Sequence, residues 1–81
     1  MTALTELETR ILTLEQSWWR SPGAKEREIL DALGITPTRY YQMLNELIDR
    51  PEAARFDPVL VARLRRRRDD RARLRSGRDL G

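Results

Sequence analysis

The chain predicts an all-α, four-helix single domain that contains a helix-turn-helix and ends in a basic helical arm. Three observations carry that prediction. Apolar residues recur at three- and four-residue spacing over 4–18 and again over 40–48, the period of an amphipathic helix. A hydroxyl or carboxylate residue stands directly before proline at Ser21-Pro22, Thr36-Pro37 and Asp57-Pro58, which is how helices begin. Nine of the nineteen residues over 63–81 are arginine, with almost nothing apolar between them.

The first helix follows from Thr5 and Glu8, which have the Thr-x-x-Glu spacing of a capping box, and it is expected over about 6–20. Leu4, Leu7, Ile11, Leu14 and Trp18 then form a narrow seam along it. A small domain needs that seam to support the later helices; pairing with its own copy in a homodimer is the other use of such a stripe. Trp18 and Trp19 point about 100° apart on a helix, so both cannot follow the seam. Trp18 is expected in the core and Trp19 over the following loop; a base stack or dimer contact is the functional alternative for the exposed indole.

Ser21 caps the second helix, which starts at Gly23 or Ala24 and runs to Leu33. Glu26 and Glu28 suit the positive end of its dipole, and with Lys25, Arg27 and Asp31 they read as a solvated face. The helix stops at Leu33-Gly34-Ile35, because a left-handed C-terminal residue is cheap only for glycine. Thr36 and Pro37 restart the chain at once. So short a connection leaves one face of the third helix pointing outward, as in a helix-turn-helix.

On that third helix Tyr40, Met43, Leu44, Leu47 and Ile48 face the core, with Leu30, Leu33 and Ile35 packing before and within the turn. The opposite side carries Thr38, Gln42, Asn45 and Asp49, edged by Arg39 and Glu46 on one side and Tyr41 on the other. Gln and Asn can present a donor and an acceptor to adenine, and Arg pairs with guanine or phosphate. Thr38, Arg39, Tyr41, Gln42 and Asn45 are therefore the base-reading candidates. The plainer alternative is that every amphipathic helix has a polar outer face.

Arg50-Pro51 reads as a stop, since a proline disfavours helix in the residue before it. Residues 51–57 are then a short connector, with Ala53 and Ala54 lying back on the core and Phe56 as its anchor. Val59, Leu60, Val61 and Leu64 open the fourth helix, and a boundary at 62/63 divides a helix-turn-helix domain (1–62) from an arginine-rich extension (63–81). The phosphate-binding candidates are Arg63, Arg65, Arg66, Arg67, Arg68, Arg71, Arg73, Arg75 and Arg78. Asp69 is spaced to pair with Arg65 and Arg73, and the helix is expected to fray near Ser76-Gly77.

Composition excludes several chemistries. There is no cysteine and no histidine, so disulfides and the usual zinc sets are absent. None of the three serines has a histidine base, the one lysine lies in a charged segment, and the four glycines do not form a phosphate loop. Glu6, Glu8, Glu26 and Glu28 read as solvated charges. No enzyme, cofactor, metal or small-molecule substrate is expected, and no apolar run reaches the roughly 20 residues of a membrane span. Without a signal sequence the expected location is the cytoplasm, at the nucleoid.

Charge is unevenly placed. Residues 63–81 hold nine Arg and three Asp, a net of +6, whereas 1–62 hold seven basic and ten acidic residues, a net of −3. Fifteen of the sixteen basic residues are Arg, which grips phosphate through two parallel donors where Lys is a point charge. That asymmetry expects an anionic partner.

Glu15-x-x-Trp18-Trp19, Gly23-Ala24-Lys25-Glu26, Leu33-Gly34-Ile35-Thr36-Pro37-Thr38-Arg39-Tyr40-Tyr41-Gln42-Met43-Leu44-Asn45, Asp57-Pro58 and Leu64-Arg65-Arg66 together resemble a family of small actinobacterial proteins catalogued as a domain of unknown function. The similarity spans roughly 4–71. It implies helix-turn-helix proteins with an arginine-rich end that act on the bacterial chromosome, as transcription regulators or nucleoid-associated proteins. The contact residues above come from helical geometry, not from the resemblance.

The expected function is thus binding of double-stranded DNA, with the arginine-rich end supplying affinity by counterion release and the third helix entering the major groove. A nucleoid-associated role is favoured over a single operator, because Glu46 and Asp49 on the reading face repel phosphate. The alternatives are an adaptor of the transcription machinery, an antitoxin-like protein partner, and RNA binding.

Overall fold

The computed structural model describes residues 3–17 and 19–80, with side chains through Arg73. Every element among the described residues is helical: α1 (Glu6–Gln16), α2 (Pro22–Glu28) continuing into a π-helical turn (Ile29–Leu33), α3 (Pro37–Leu47), α4 (Pro51–Phe56) and α5 (Pro58–Leu80). The all-α class therefore holds, but with five helices where the sequence predicts four.

The additional helix has a simple cause. All four prolines of the chain open a helix: Pro22, Pro37, Pro51 and Pro58 stand at the starts of α2, α3, α4 and α5. The fixed proline φ suits the first helical turn, and its missing N–H is one that a helix start leaves unpaired anyway. Arg50-Pro51 is expected to stop the chain, but α3 is already over at Leu47. The proline instead begins α4, although Arg50 offers no capping side chain.

Elsewhere the caps are those expected. Thr5 Oγ1 accepts from the Glu8 amide at 3.1 Å while Glu8 Oε1 accepts from the Thr5 amide at 2.8 Å, closing the capping box. Ser21, Thr36 and Asp57 accept from the amides of Ala24, Arg39 and Leu60 at 3.2, 3.2 and 3.0 Å. Gly34 ends the π turn at φ 69°, the left-handed conformation that its position requires.

α1 ends at Gln16, four residues earlier than expected. Ser17 turns extended, and Trp19 folds back so that its indole Nε1 donates to the Leu14 carbonyl at 3.1 Å. The Leu14 carbonyl, which already accepts from the Ser17 amide at 3.1 Å, thereby gains a second donor at the helix end. Trp19 thus folds back over the end of α1 and not over the loop that follows, whereas Trp18 lies outside the described residues.

The core gathers Ile11 and Leu12 of α1, Ile29 of the π turn, Tyr40, Leu44 and Leu47 of α3, Ile48, Ala53 of α4, and Leu60, Val61 and Leu64 of α5. The stripe on α3 is the expected one, and Leu4, Leu7 and Leu14 pack the α1 seam against it. Two expectations fail. Leu30 is half exposed while Ile29 is buried, because the π turn departs from the 3.6-residue period on which the expectation rested. Phe56 is 39% exposed, and Ala53 anchors α4 instead: a six-residue helix lying close on the core has room at its contact point for a methyl group.

α5 is continuous across position 62/63 and runs on to Leu80, so no fraying interrupts it at Ser76-Gly77. Its Leu60, Val61 and Leu64 pack on the body. No helix among the described residues is long and apolar enough to cross a membrane.

Candidate nucleic-acid interface

The outer face of α3 is open. Thr38, Arg39, Tyr41, Gln42 and Asn45 are all exposed, brought to one side of a single helix by the 100° step between residues. The two edges of that face differ. Along one, Arg39 and Glu46 stand beside Glu8 and Arg50, where charge is balanced. Arg50 pairs there with Glu8 and with Glu52 at 3.0 Å, so Glu8 is not a free solvated charge. Its carboxyl lies below the usual range, first because the Thr5 amide donates to it and then because Arg50 sits against it.

Along the other edge runs α5. Past Leu64 the side of α5 that packed on the core carries Arg67, Arg68 and Arg71, and these overhang a cleft of about 460 Å³ whose far wall is Tyr41, Asn45 and Ile48. Two arginines hold α5 there. Arg68 makes a bidentate pair with Asp49, both bonds 2.9 Å, and also donates to the Asn45 carbonyl at 3.3 Å. Arg65 donates through Nε to the Ile48 carbonyl at 2.6 Å and lies 4.0 Å from Asp49. Asp49 is consequently held below the ordinary carboxylate range, chiefly by the Arg68 hydrogen bonds.

These contacts replace the pairing expected within α5. Asp69 does not bridge Arg65 and Arg73: Arg73 pairs with Asp70 at 2.5 Å, Arg68 reaches Asp69 only at 4.0 Å, and Arg65 turns to α3. The Asp49 carboxylate just past α3 and the open carbonyls at that helix's end offer Arg65 and Arg68 several acceptors at once, where a neighbour one turn away offers a single carboxylate. Of the nine candidate phosphate ligands, Arg65 and Arg68 are thus engaged with α3 and Arg73 with Asp70. Arg63, Arg66, Arg67 and Arg71 are exposed and within ion-pair distance of no carboxylate among the described side chains, and the side chains of Arg75 and Arg78 lie outside those described.

At the floor of the cleft is a cluster that the sequence reading missed. Lys25 Nζ lies 2.6 Å from Glu15 Oε2, with only 16% and 5% of the two side chains exposed. The Tyr40 hydroxyl donates to the same carboxylate at 2.5 Å and lies 3.3 Å from the Ile11 carbonyl. The ammonium also sits 5.7 Å from the Tyr40 ring centroid and 5.3 Å from that of Tyr41, while the two rings meet edge to face at 5.1 Å. Burial, and the Glu15 carboxylate facing it, push the Tyr40 phenol well above its ordinary range. Lys25 is therefore not part of a wet face. Its signal was its singularity, the one lysine among sixteen basic residues: a compact ammonium fits between two rings and a carboxylate where a guanidinium fork would not.

Glu15, Lys25 and the Tyr40-Tyr41 pair come from three separate sequence segments, and here they join α1, α2 and α3. The cluster gives Tyr41 a fixed position at the edge of the open face. No buried side-chain nitrogen or oxygen among the described residues lacks a partner, and no group of metal-ligating side chains occurs among them. Neither a curated protein nor a solved structure matches the chain. The family described as "Protein of unknown function (DUF3263)" matches residues 3–76, from before α1 to within α5, and the chain belongs to that family.

Proposed function

We propose that the protein binds double-stranded DNA without catalysing a reaction, with α2 and α3 acting as a helix-turn-helix and α5 as a basic arm that contacts phosphates. One observation carries this: the open polar face of α3 and the unpaired arginines of α5 border the same cleft. In a helix-turn-helix the second helix lies in the major groove, and the sugar-phosphate strands then run along its two edges. Thr38, Gln42 and Asn45 would meet base edges, with Arg39 and Tyr41 at the margins.

The pairing of Asp49 with Arg68 supports the same function, because the carboxylate on the reading face no longer stands uncompensated before the phosphates. Glu46 still does. Most affinity then comes from phosphate contacts that carry no sequence information, which suits a nucleoid-associated protein better than a regulator of one operator.

The test is fluorescence anisotropy of a labelled random duplex titrated with the full chain at several salt concentrations. With nine arginines on phosphate the log-log slope would be near −8; with Arg65, Arg68 and Arg73 engaged elsewhere it should lie at about −3 to −6. Absence of binding at micromolar protein in low salt rejects the function and turns attention to a protein partner. An RNA hairpin that displaces the duplex at lower concentration than unlabelled duplex does would make RNA the ligand.

A further inference from the structure

A basic arm is usually pictured as a mobile tether that adds charge wherever the nucleic acid happens to be. α5 is not arranged that way where its side chains are described. Arg65 and Arg68 fix it to the C-terminal end of α3 through three acceptors, the Ile48 and Asn45 carbonyls and the Asp49 carboxylate. Because residues three and four apart share a helix face, fixing Arg68 also fixes the side on which Arg67 and Arg71 emerge. That side looks onto Tyr41 and Asn45 across the cleft.

The local charge is positive and not otherwise engaged. Among the described residues Glu15 is the one carboxylate lining the cleft, and Lys25 and the Tyr40 hydroxyl already hold it. Arg68 is engaged by Asp49. Arg67 and Arg71 remain, two forked donors over a polar cleft with an aromatic ring and an amide on its far wall. The opposite edge of α3 offers Arg39 alone among the described residues, since Arg50 there is taken by Glu8 and Glu52.

We propose that the α3–α5 cleft is a built phosphodiester site, in which Arg67 and Arg71 hold one backbone strand of the duplex against the Tyr41–Asn45 edge of α3. The proposal rests on DNA binding as the function and specifies where the affinity resides. α5 then works as a positioned jaw: Arg65 and Arg68 are positioning residues, and Arg67 and Arg71 are the phosphate ligands. The strand on the cleft side would be held more firmly than the one along the Arg39 edge.

A charge-matched comparison tests this on the full chain. One variant combines Arg67→Gln with Arg71→Gln; the other combines Arg63→Gln with Arg66→Gln, which removes the same charge from unpaired arginines that do not line the cleft. All four side chains are exposed, so both variants should fold, and thermal melting checks that they do. The cleft pair should reduce the salt slope of duplex binding by about 2 and weaken binding about tenfold at low salt, whereas the second pair should change the slope by less than about 0.5. Equal losses from the two pairs overturn the cleft while leaving DNA binding in place. A wild-type chain that binds no duplex overturns both.

Discussion

The body of the molecule and the far half of α5 handle charge in opposite ways. In the body, charged groups are matched to one another across helices: Glu15 with Lys25, Glu8 with Arg50, Asp49 with Arg68. Past Leu64 the one apolar residue among α5's described side chains is the exposed Ala72, and several arginines there pair with no carboxylate among those described. Burial explains the first two pairs, because a charge taken out of water must find a partner, whereas Asp49 is itself 58% exposed and meets Arg68 where α5 lies against the end of α3. The matched charges thus belong to the folding of the body, and the unmatched ones are available to a ligand. Substitutions should divide along the same line.

The largest effect is expected at Tyr40. Truncation to alanine removes a ring with no solvent exposure and the hydroxyl that Glu15 accepts from, and should cost about 3–5 kcal/mol in urea unfolding. Tyr40→Phe keeps the ring but leaves the buried carboxylate one donor short, for about 1–3 kcal/mol. If Tyr40→Phe were neutral, Glu15 and Lys25 would be a self-sufficient pair and the three-helix cluster would not act as a unit.

The phenol also sets a pH limit. Its folded pKa is raised, so the stabilisation is fully present below the ordinary tyrosine value of about 10 and is lost as pH rises beyond it, where the unfolded chain ionises first. Alkaline unfolding should therefore start near pH 10 in the wild type and be blunted in Tyr40→Phe, as read by circular dichroism against pH.

A smaller loss, about 1 kcal/mol, is expected for Gly34→Ala. The added methyl group meets no atom within 4 Å, so the cost comes from the left-handed backbone alone.

The smallest stability effect should come from Arg66→Gln, within about 0.5 kcal/mol of wild type, because the side chain is exposed and unpaired. A loss well above that would mean that unmatched arginines also support the fold, and the contrast between body and α5 would fail.

Between those extremes lies Asp49. Its folded pKa is depressed, so its contribution is present above the ordinary carboxylate value and disappears as pH falls through the folded one. Asp49→Asn should flatten the acid limb of the stability profile.

How much of this was legible follows from the range of the signals. Caps and turns are local, and Thr5, Ser21, Thr36, Asp57 and Gly34 all act within three or four residues of themselves; each does what its neighbours in sequence imply. The stripe on α3 was legible for the same reason, since period is a local property. Arg50-Pro51 misled because proline can end one helix or begin the next, and sequence alone did not weigh the second role. Leu30 and Phe56 misled because a π turn and a short helix set their facing by tertiary fit.

The site divides in the same way. Exposure of Thr38, Arg39, Gln42 and Asn45 follows from α3's period, but the pairing of Asp49 with Arg68 joins residues nineteen positions apart, and that of Glu15 with Tyr40 spans twenty-five. No local pattern announces either one. They decide which arginines remain for a ligand.

The most direct test of where a ligand sits is amide chemical-shift mapping of the full chain on titration with a short random duplex. We expect the shifts to cluster on Thr38, Arg39, Tyr41, Gln42 and Asn45 and along α5 from Arg63 to Arg73, with the Phe56–Val59 surface silent. Shifts confined to that surface or to the outer side of α1, or no shifts at all in low salt, would contradict the proposal that the open face of α3 and the unpaired arginines of α5 form one nucleic-acid interface.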